Sequence, residues 1–392
     1  MDHPEGIRLE MTIRRRDFLK KAGAGAAGAA ALGACGSGAG GPAAGAQVGG
    51  IDGPRVSWRM ATSFPPSLDI LHGGGVRIGE RVEQLTGGLF TMRVFAAGEI
   101  VPALQVMDAV QSGTVQCGLT PGYYYTGKHS ALAFDTAIPC GFNTRQQISW
   151  LYYGGGLDLV NSIYADFGIV SFPASSTGGQ MGGWFREPIG SLADLNGLRF
   201  RIPGIGGEIM ARLGATVQVL AGAEIYPALE RGAIDATEWV GPYDDETLGF
   251  HQIAQNYYYP GWWEAGVTMG LLVSQEAYDD LPAAYQQILR AACAETFSDR
   301  LASYDAANPP ALQRLVQDHG VIVREFPADL MEAAWRESNA FMEEQASADA
   351  TFRTVYESYK AFREVAFPYS SRNELAYQNN VFPRIEAPGM AG

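Results

Sequence analysis

The segment Gly197-Leu-Arg-Phe-Arg-Ile-Pro-Gly204 does most to constrain the fold. Leu198, Phe200 and Ile202 alternate with Arg199 and Arg201, the period-two pattern of a strand with one apolar face. Pro203 ends the pairing because it has no amide proton to donate. Arg201 is thereby delivered to a strand end, ahead of a glycine-rich turn (Gly204-Ile205-Gly206-Gly207) and a helix predicted over Glu208 to Leu213. Open α/β sheets hold ligands at such strand ends. A guanidinium there matches a carboxylate with two parallel N–H donors, which lysine cannot do, so Arg201 is a candidate carboxylate anchor. The alternative is a structural salt bridge, the commoner fate of an arginine.

The chain has 392 residues, 47% hydrophobic and 18% charged, enough for two lobes with substantial cores. A formal charge of -14 argues against nucleic acid as a partner. Arg14-Arg15-Arg16-Asp17-Phe18-Leu19-Lys20-Lys21, followed by an Ala/Gly-rich run to Ala34, reads as a twin-arginine export signal with the periplasm as destination. Two processing sites compete: Leu32-Gly33-Ala34-Cys35 resembles a lipobox that would leave a lipid anchor on Cys35, and Ala44-Gly45-Ala46 resembles an ordinary cleavage site. Gly23 to Gly28 matches GxGxxG by letter only, since no strand precedes it. Cys117, Cys140 and Cys293 have no metal-like spacing and read as buried free thiols. No other segment approaches the ~18 unbroken apolar residues of a membrane span.

Residues 36–54 read as a linker. Val56 to Thr62 is the predicted first strand, Ile70 to Leu85 an amphipathic helix, Leu89 to Phe95 a strand, Ala103 to Ser112 a helix and Val115 to Leu119 a buried strand. Gln146 to Phe167 is predicted as one helix and Ile169 to Ser175 as a strand. After the Arg201 strand come a strand at Thr216 to Val219, a helix at Glu224 to Arg231 and a strand at Ala233 to Trp239. The last third is predicted helical: Ala283 to Ala306, Pro310 to Gln317, Ala328 to Ala346 and Ala350 to Ala366. This pattern predicts an α/β fold of two lobes with a helical brace.

Four segments in order carry a family resemblance: Val94-Phe-Ala-Ala-Gly-Glu-Ile-Val101-Pro, Asp108-Ala-Val-Gln-Ser-Gly-Thr-Val-Gln116, Ile189 to Pro203, and Leu229-Glu-Arg-Gly-Ala-Ile-Asp-Ala-Thr-Glu-Trp239. Over roughly residues 56–330 the chain resembles the DctP-type solute-binding proteins of TRAP (tripartite ATP-independent periplasmic) transporters. The resemblance implies a two-lobed periplasmic binding protein fold, hinge-bending and type II-like, with long C-terminal helices. It implies a small organic anion as ligand and TRAP membrane subunits as partners. Residues 55–176 and 266–303 would form one lobe, 177–265 and 304–345 the other, and 346–392 a C-terminal helix and tail.

The chain looks most like the branch that binds 2-oxo acids or lactate with a cation. That resemblance assigns Arg201 to the ligand carboxylate, with Gln180, Trp239 and Tyr124 beside it and Trp263 as a further apolar wall. It assigns Glu238, Trp239, Glu264 and Gln180 to the cation, Na⁺ or Ca²⁺, since two carboxylates and an amide oxygen suit a hard ion. Spacing alone suggests no metal set. His72, His129 and His251 are scattered and read as surface or satisfied core residues. The C-terminal helix is a candidate dimer interface, and the tail from Phe367 to Gly392 departs from the family pattern and is expected to wrap a partner subunit. Alternatives are a larger or aromatic carboxylate as ligand, or a secreted enzyme; no GxSxG, HExxH, CxxC or phosphate-binding loop supports the latter.

Overall fold

The computed structural model describes residues 52–384. β1 (Val56–Thr62), α1 (Asp69–Leu85) and β2 (Phe90–Phe95) form a βαβ unit with parallel strands. The short helix α2 (Val106–Gln111) leads to β3 (Cys117–Thr120), parallel to β1 on its other side. α3 (Thr144–Tyr153) and α4 (Gly156–Ala165) precede β4 (Ile169–Gly178), after which the chain crosses to a second sheet. There follow β5 (Trp184–Phe185), β6 (Arg199–Arg201), α5 (Gly204–Arg212), β7 (Thr216–Gln218), α6 (Gly222–Glu230), β8 (Ala236–Thr237), α7 (Pro242–Leu248) and β9 (Asn256–Tyr259). β10 (Val267–Ser274) returns to the first sheet, antiparallel between β3 and β4. α8 (Gln275–Asp279) and the long α9 (Ala283–Gln317) lead to β11 (Ile322–Glu325) in the second sheet, and α10 (Ala328–Ala348), α11 (Ala350–Arg372) and α12 (Glu374–Val381) follow. Strand orders are β2-β1-β3-β10-β4 and β11-β9-β5-β8-β6-β7. This is the expected α/β fold of two lobes with long C-terminal helices.

Several elements differ from the sequence prediction. The helix expected over Gln146 to Phe167 is two, because Gly155 takes φ of 80° and turns the chain between α3 and α4. α5 starts four residues early, at Gly204. Its glycines serve close packing: a Cβ on Gly206 would lie 2.8 Å from Trp263 Cβ, and one on Gly207 2.8 Å from the Ile202 carbonyl. Pro309 and Pro310 do not split α9, whose buried Tyr304, Ala311 and Leu315 hold the helix on both sides of them. The strand expected over Ala233 to Trp239 pairs only at Ala236–Thr237.

The C-terminal helix runs on past its predicted end at Ala366: Phe367 to Arg372 continue α11, and Glu374–Val381 form α12. α11 buries Phe352, Val355, Tyr356 and Tyr359 on its own subunit. Tyr359 lies 4.0 Å from Phe142 between ring centroids, and its hydroxyl accepts from the Phe142 amide at 2.7 Å. The export signal, Cys35, the linker as far as residue 51, and residues 385–392 lie outside the described residues.

A buried carboxylate seats the loop that faces the second sheet. Asp135 is 4% exposed; it accepts from Thr136 Oγ1 at 2.5 Å and from Tyr164 Oη at 2.7 Å, and Thr136 Oγ1 accepts from the Gly122 amide at 2.7 Å. The turn Gly122–Tyr125 is thus fixed by its first residue. Burial lifts the Asp135 carboxyl from 3.8 to about 6, against the pull of Thr136 and Tyr164. The folded state therefore keeps a proton between about pH 4 and 6 that the unfolded chain has lost, so this group's stabilisation is present at low pH and is lost as pH rises through 6. Replacing Asp135 by Asn should remove that dependence. Measured by urea unfolding, the mutant's stability relative to wild type should improve by about 2 kcal/mol between pH 4.5 and pH 7.

Candidate functional site

Arg201 ends β6 and is 1% exposed. Strand pairing decides its surroundings: Arg201 stands opposite Gln218 of β7 and Thr237 of β8. Its Nε and Nη2 donate to the Leu220 carbonyl at 3.1 and 3.0 Å, and Nη1 donates to the Glu238 carbonyl at 3.1 Å and to the Glu238 carboxylate. The guanidinium lies 5.1 Å from the Trp239 ring centre, within cation–π range. Four of its five N–H groups are thus committed within the protein, and one Nη2 N–H remains beside Tyr124, which lines the same cavity. The salt-bridge alternative also holds, since Glu238 is the partner.

Gln180 and Glu264 sit on the two crossings between the sheets, and these crossings pair. The Gln180 amide donates to the Glu264 carbonyl at 3.3 Å, and the Gly261 amide to the Gln180 carbonyl at 3.1 Å. Gln180 Nε2 donates to Thr177 Oγ1 at 3.1 Å, which leaves its Oε1 buried without a partner. Glu264 is 3% exposed, and its Oε2 is likewise buried and unpartnered. Two orphaned oxygens in one place are costly unless something binds there.

Burial pushes the Glu264 carboxyl well above its ordinary range, repulsion from Glu238 adds to this, and Arg201, Tyr123 and Gln180 pull it back. Burial also raises Glu238, against the pull of Arg201. The Tyr124 phenol is pushed up to about 12 by burial, with Arg201 opposing. Glu238 pairs with the Arg201 guanidinium and Glu264 feels its charge without bonding to it; carboxylate and amide oxygens of this kind are the hard donors that suit Na⁺ or Ca²⁺.

A cavity of about 20 Å³ is lined by Gln180, Arg201, Trp239, Tyr123 and Tyr124 among others, while Glu238 and Glu264 are not in its wall. Trp263 is not in its wall: it packs on Phe200 and Phe326 beneath α5. Nor do the histidines line it. His72 Nδ1 lies 3.2 Å from Thr62 Oγ1, His129 caps the turn at Ala131, and His251 stacks on His319. Cys117, Cys140 and Cys293 are free. Tyr123, Phe64, Leu71 and Met269 are lining residues that the sequence reading missed. Only Phe64, in the loop after β1, had a usable sign, its place at a strand end.

The sequence pattern of the bacterial extracellular solute-binding proteins, family 7 (DctP), matches residues 61–349. A monocarboxylate 2-oxoacid-binding periplasmic protein of Nostoc sp. is 53% identical over 326 residues, which is 83% of this chain and 89% of the relative. A TRAP transporter solute-binding protein of Bordetella bronchiseptica, described as a dimer with calcium and picolinate in one active site, is 44% identical with a TM-score of 0.83, covering 85% of this chain and 98% of its own. One of Pseudoalteromonas atlantica, with bound sodium and pyruvate, is 37% identical with a TM-score of 0.81, covering 83% of this chain and 99% of its own.

Replacing Glu238 by Leu would leave the Arg201 charge buried without its partner. Urea unfolding should show a loss of about 3–5 kcal/mol, most of it recovered in the double variant Arg201→Met, Glu238→Leu.

Proposed function

Because the chain belongs to the bacterial extracellular solute-binding proteins of family 7, we propose that it captures a small 2-oxo or 2-hydroxy monocarboxylate, of the pyruvate or lactate kind, together with Na⁺ or Ca²⁺, and delivers it to TRAP membrane subunits. The observation that carries this reading is a pair of unpartnered buried oxygens: Gln180 Oε1, on a residue that lines a small cavity with Arg201, and Glu264 Oε2, on the crossing that hydrogen-bonds to Gln180. The Arg201 charge is already matched by Glu238, so an anionic ligand arriving near Glu264 needs a further positive charge. A bound cation supplies that charge and bridges the protein oxygens to the ligand's carboxylate and adjacent donor atom. Gln180, Glu238, Trp239 and Glu264 would hold it, the remaining Arg201 N–H would take a carboxylate oxygen, and Trp239 and Tyr124 would wall the ligand.

Pyruvate and picolinate, the ligands of two similar proteins, share a carboxylate with a donor atom on the neighbouring carbon. That common feature is what an oxygen-rich cation site beside one arginine reads. The two lobes in this proposal are 55–176 with 266–303 and 177–265 with 304–345, closing on the ligand about the paired crossings. Capture of this kind rests on greater affinity in the closed state. Export through the twin-arginine segment, followed by cleavage near Ala46 or lipidation at Cys35, belongs to the same proposal.

Isothermal titration of the chain from Ala46 with pyruvate, lactate and 2-oxobutyrate should give tight binding that requires Na⁺ or Ca²⁺ and is abolished by chelation where Ca²⁺ is the ion. Arg201→Ala should weaken it by about 2–5 kcal/mol. No heat with any small acid, in the presence of both ions, would refute the ligand class.

A homodimer is part of the proposal as well. Val365, Tyr369, Leu375, Tyr377 and Phe382 are exposed at 50–70% along α11, α12 and the turn after them, a concentration of apolar surface that suits an interface. Truncation after Ala366 should convert the dimer to a monomer in chromatography with light scattering, and an unchanged mass would sink the idea.

A further inference from the structure

The cavity is walled from both sheets, and polar groups reach it from each: Thr177 of β4 and the turn residues Tyr123 and Tyr124 line it together with Arg201 and Gln180. Arg201 and Trp239 belong to the second sheet, and Gln180 to the crossing that leads to it. Opposite them, Phe64, Leu71, Pro121, Val267 and Met269 come from the loop after β1, from α1, from the end of β3 and from β10 of the first. A ligand whose carboxylate and neighbouring donor face Arg201 and Gln180 turns its remaining carbons toward this apolar wall. Building on the proposed 2-oxo or 2-hydroxy acid reading, we propose that Met269 is a specificity-determining residue, the adjustable stop that sets how long an alkyl chain the cavity admits.

The space enclosed is only about 20 Å³, so each added carbon needs a wall that yields. At Met269 the backbone is paired with β4, opposite Ser175, and from Gly270 onward β10 is held on its other edge by β3 as well, so the strand limits how far the Met269 backbone can move. The neighbouring side chains are stiff. Pro121 has a closed ring, Val267 is held at χ1 by its branched Cβ, and Phe64 and Leu71 are packed in the core at 3% and 1% exposed. Met269, 1% exposed, is unbranched, with three rotatable bonds and a polarisable thioether that adapts to irregular space. Of these five side chains it is the one that can withdraw along its own length. Shortening it should therefore favour longer acids, and a rigid bulky replacement should exclude them.

The test is isothermal titration of wild type, Met269→Ala and Met269→Phe with pyruvate, 2-oxobutyrate, 2-oxopentanoate and 4-methyl-2-oxopentanoate at saturating Ca²⁺, after thermal melts show cooperative unfolding. At about fourfold per buried methylene, the ratio of the pyruvate Kd to the 2-oxopentanoate Kd should rise at least about tenfold in Met269→Ala and fall by a similar factor in Met269→Phe. If the alanine variant does not fold, the phenylalanine variant decides alone. Ratios that stay at the wild-type value, or move the same way in both variants, overturn the role of Met269 while leaving the ligand class intact. A wild-type chain that binds none of the four acids overturns both.

Discussion

The guanidinium of Arg201 and the carboxylate of Glu238 form an ion pair with both side chains 1% exposed, and the form of the cavity follows from what such a pair requires. Taking two charges out of water costs several kcal/mol per ion, recovered only where geometry is good and the remaining donors are satisfied. Here the Leu220 and Glu238 carbonyls take three of the other four Arg201 N–H groups. That arrangement holds only while β6 stays in register between β7 and β8. A slip of one residue would send Arg201 to the opposite face of the sheet. The charge pair and the strand register therefore stand or fall together, and Trp239, next in the chain to Glu238, is carried into the cavity wall by the same constraint.

Behind the pair, a polar network joins the sheets through the first turn of α7. Asp245 accepts from Trp184 Nε1 at 2.9 Å and from Tyr257 Oη at 2.7 Å, both on strands of the second sheet. Its neighbour Asp244 accepts from Tyr304 Oη at 2.7 Å, on α9. Tyr243 completes the junction: its amide donates to Asn308 Oδ1 at 3.1 Å on α9, and its hydroxyl to Asp69 Oδ2 at 3.2 Å on α1. Since α9 also packs along β4 and α1, a change in the relation of the two sheets has to be felt at this turn. Burial raises Asp244 to about 7 and Asp245 to about 6, opposed first by the Tyr304 and Tyr257 hydrogen bonds respectively. Buried carboxylates in such a setting depend on every donor being present.

The C-terminal helices show why local punctuation was misread. Pro309, Pro310 and Pro368 lie inside helices, although an interior proline removes a hydrogen bond and strains the turn before it. The cost is met by burial on either side. In α11 the aromatic contacts of Tyr359 with Phe134, Phe142 and Trp150 fix the helix on the first lobe, and the chain simply continues past Pro368. Gly155 marks the reverse case, a break inside an apolar pattern that looked continuous because the periodicity on both sides resembled a single helix.

Read alone, the sequence determined the elements whose patterns are local. Alternation placed the strand of Arg201, amphipathic spacing placed α1, and four ordered segments pointed to the family and hence to Gln180, Glu238 and Glu264. Tertiary structure decided what those residues meet. Arg201 and Glu238 are 37 residues apart in the chain and adjacent only through the pairing of β6 with β8. Gln180 and Glu264 come together because the two crossings hydrogen-bond to each other. Met269 and Leu71 line the cavity without any motif, since a wall assembled from separate elements has no spacing to read. Periodicity along a chain reports which face of an element is buried; which side chains converge across the fold is set by register and crossing, and those are properties of the packed whole.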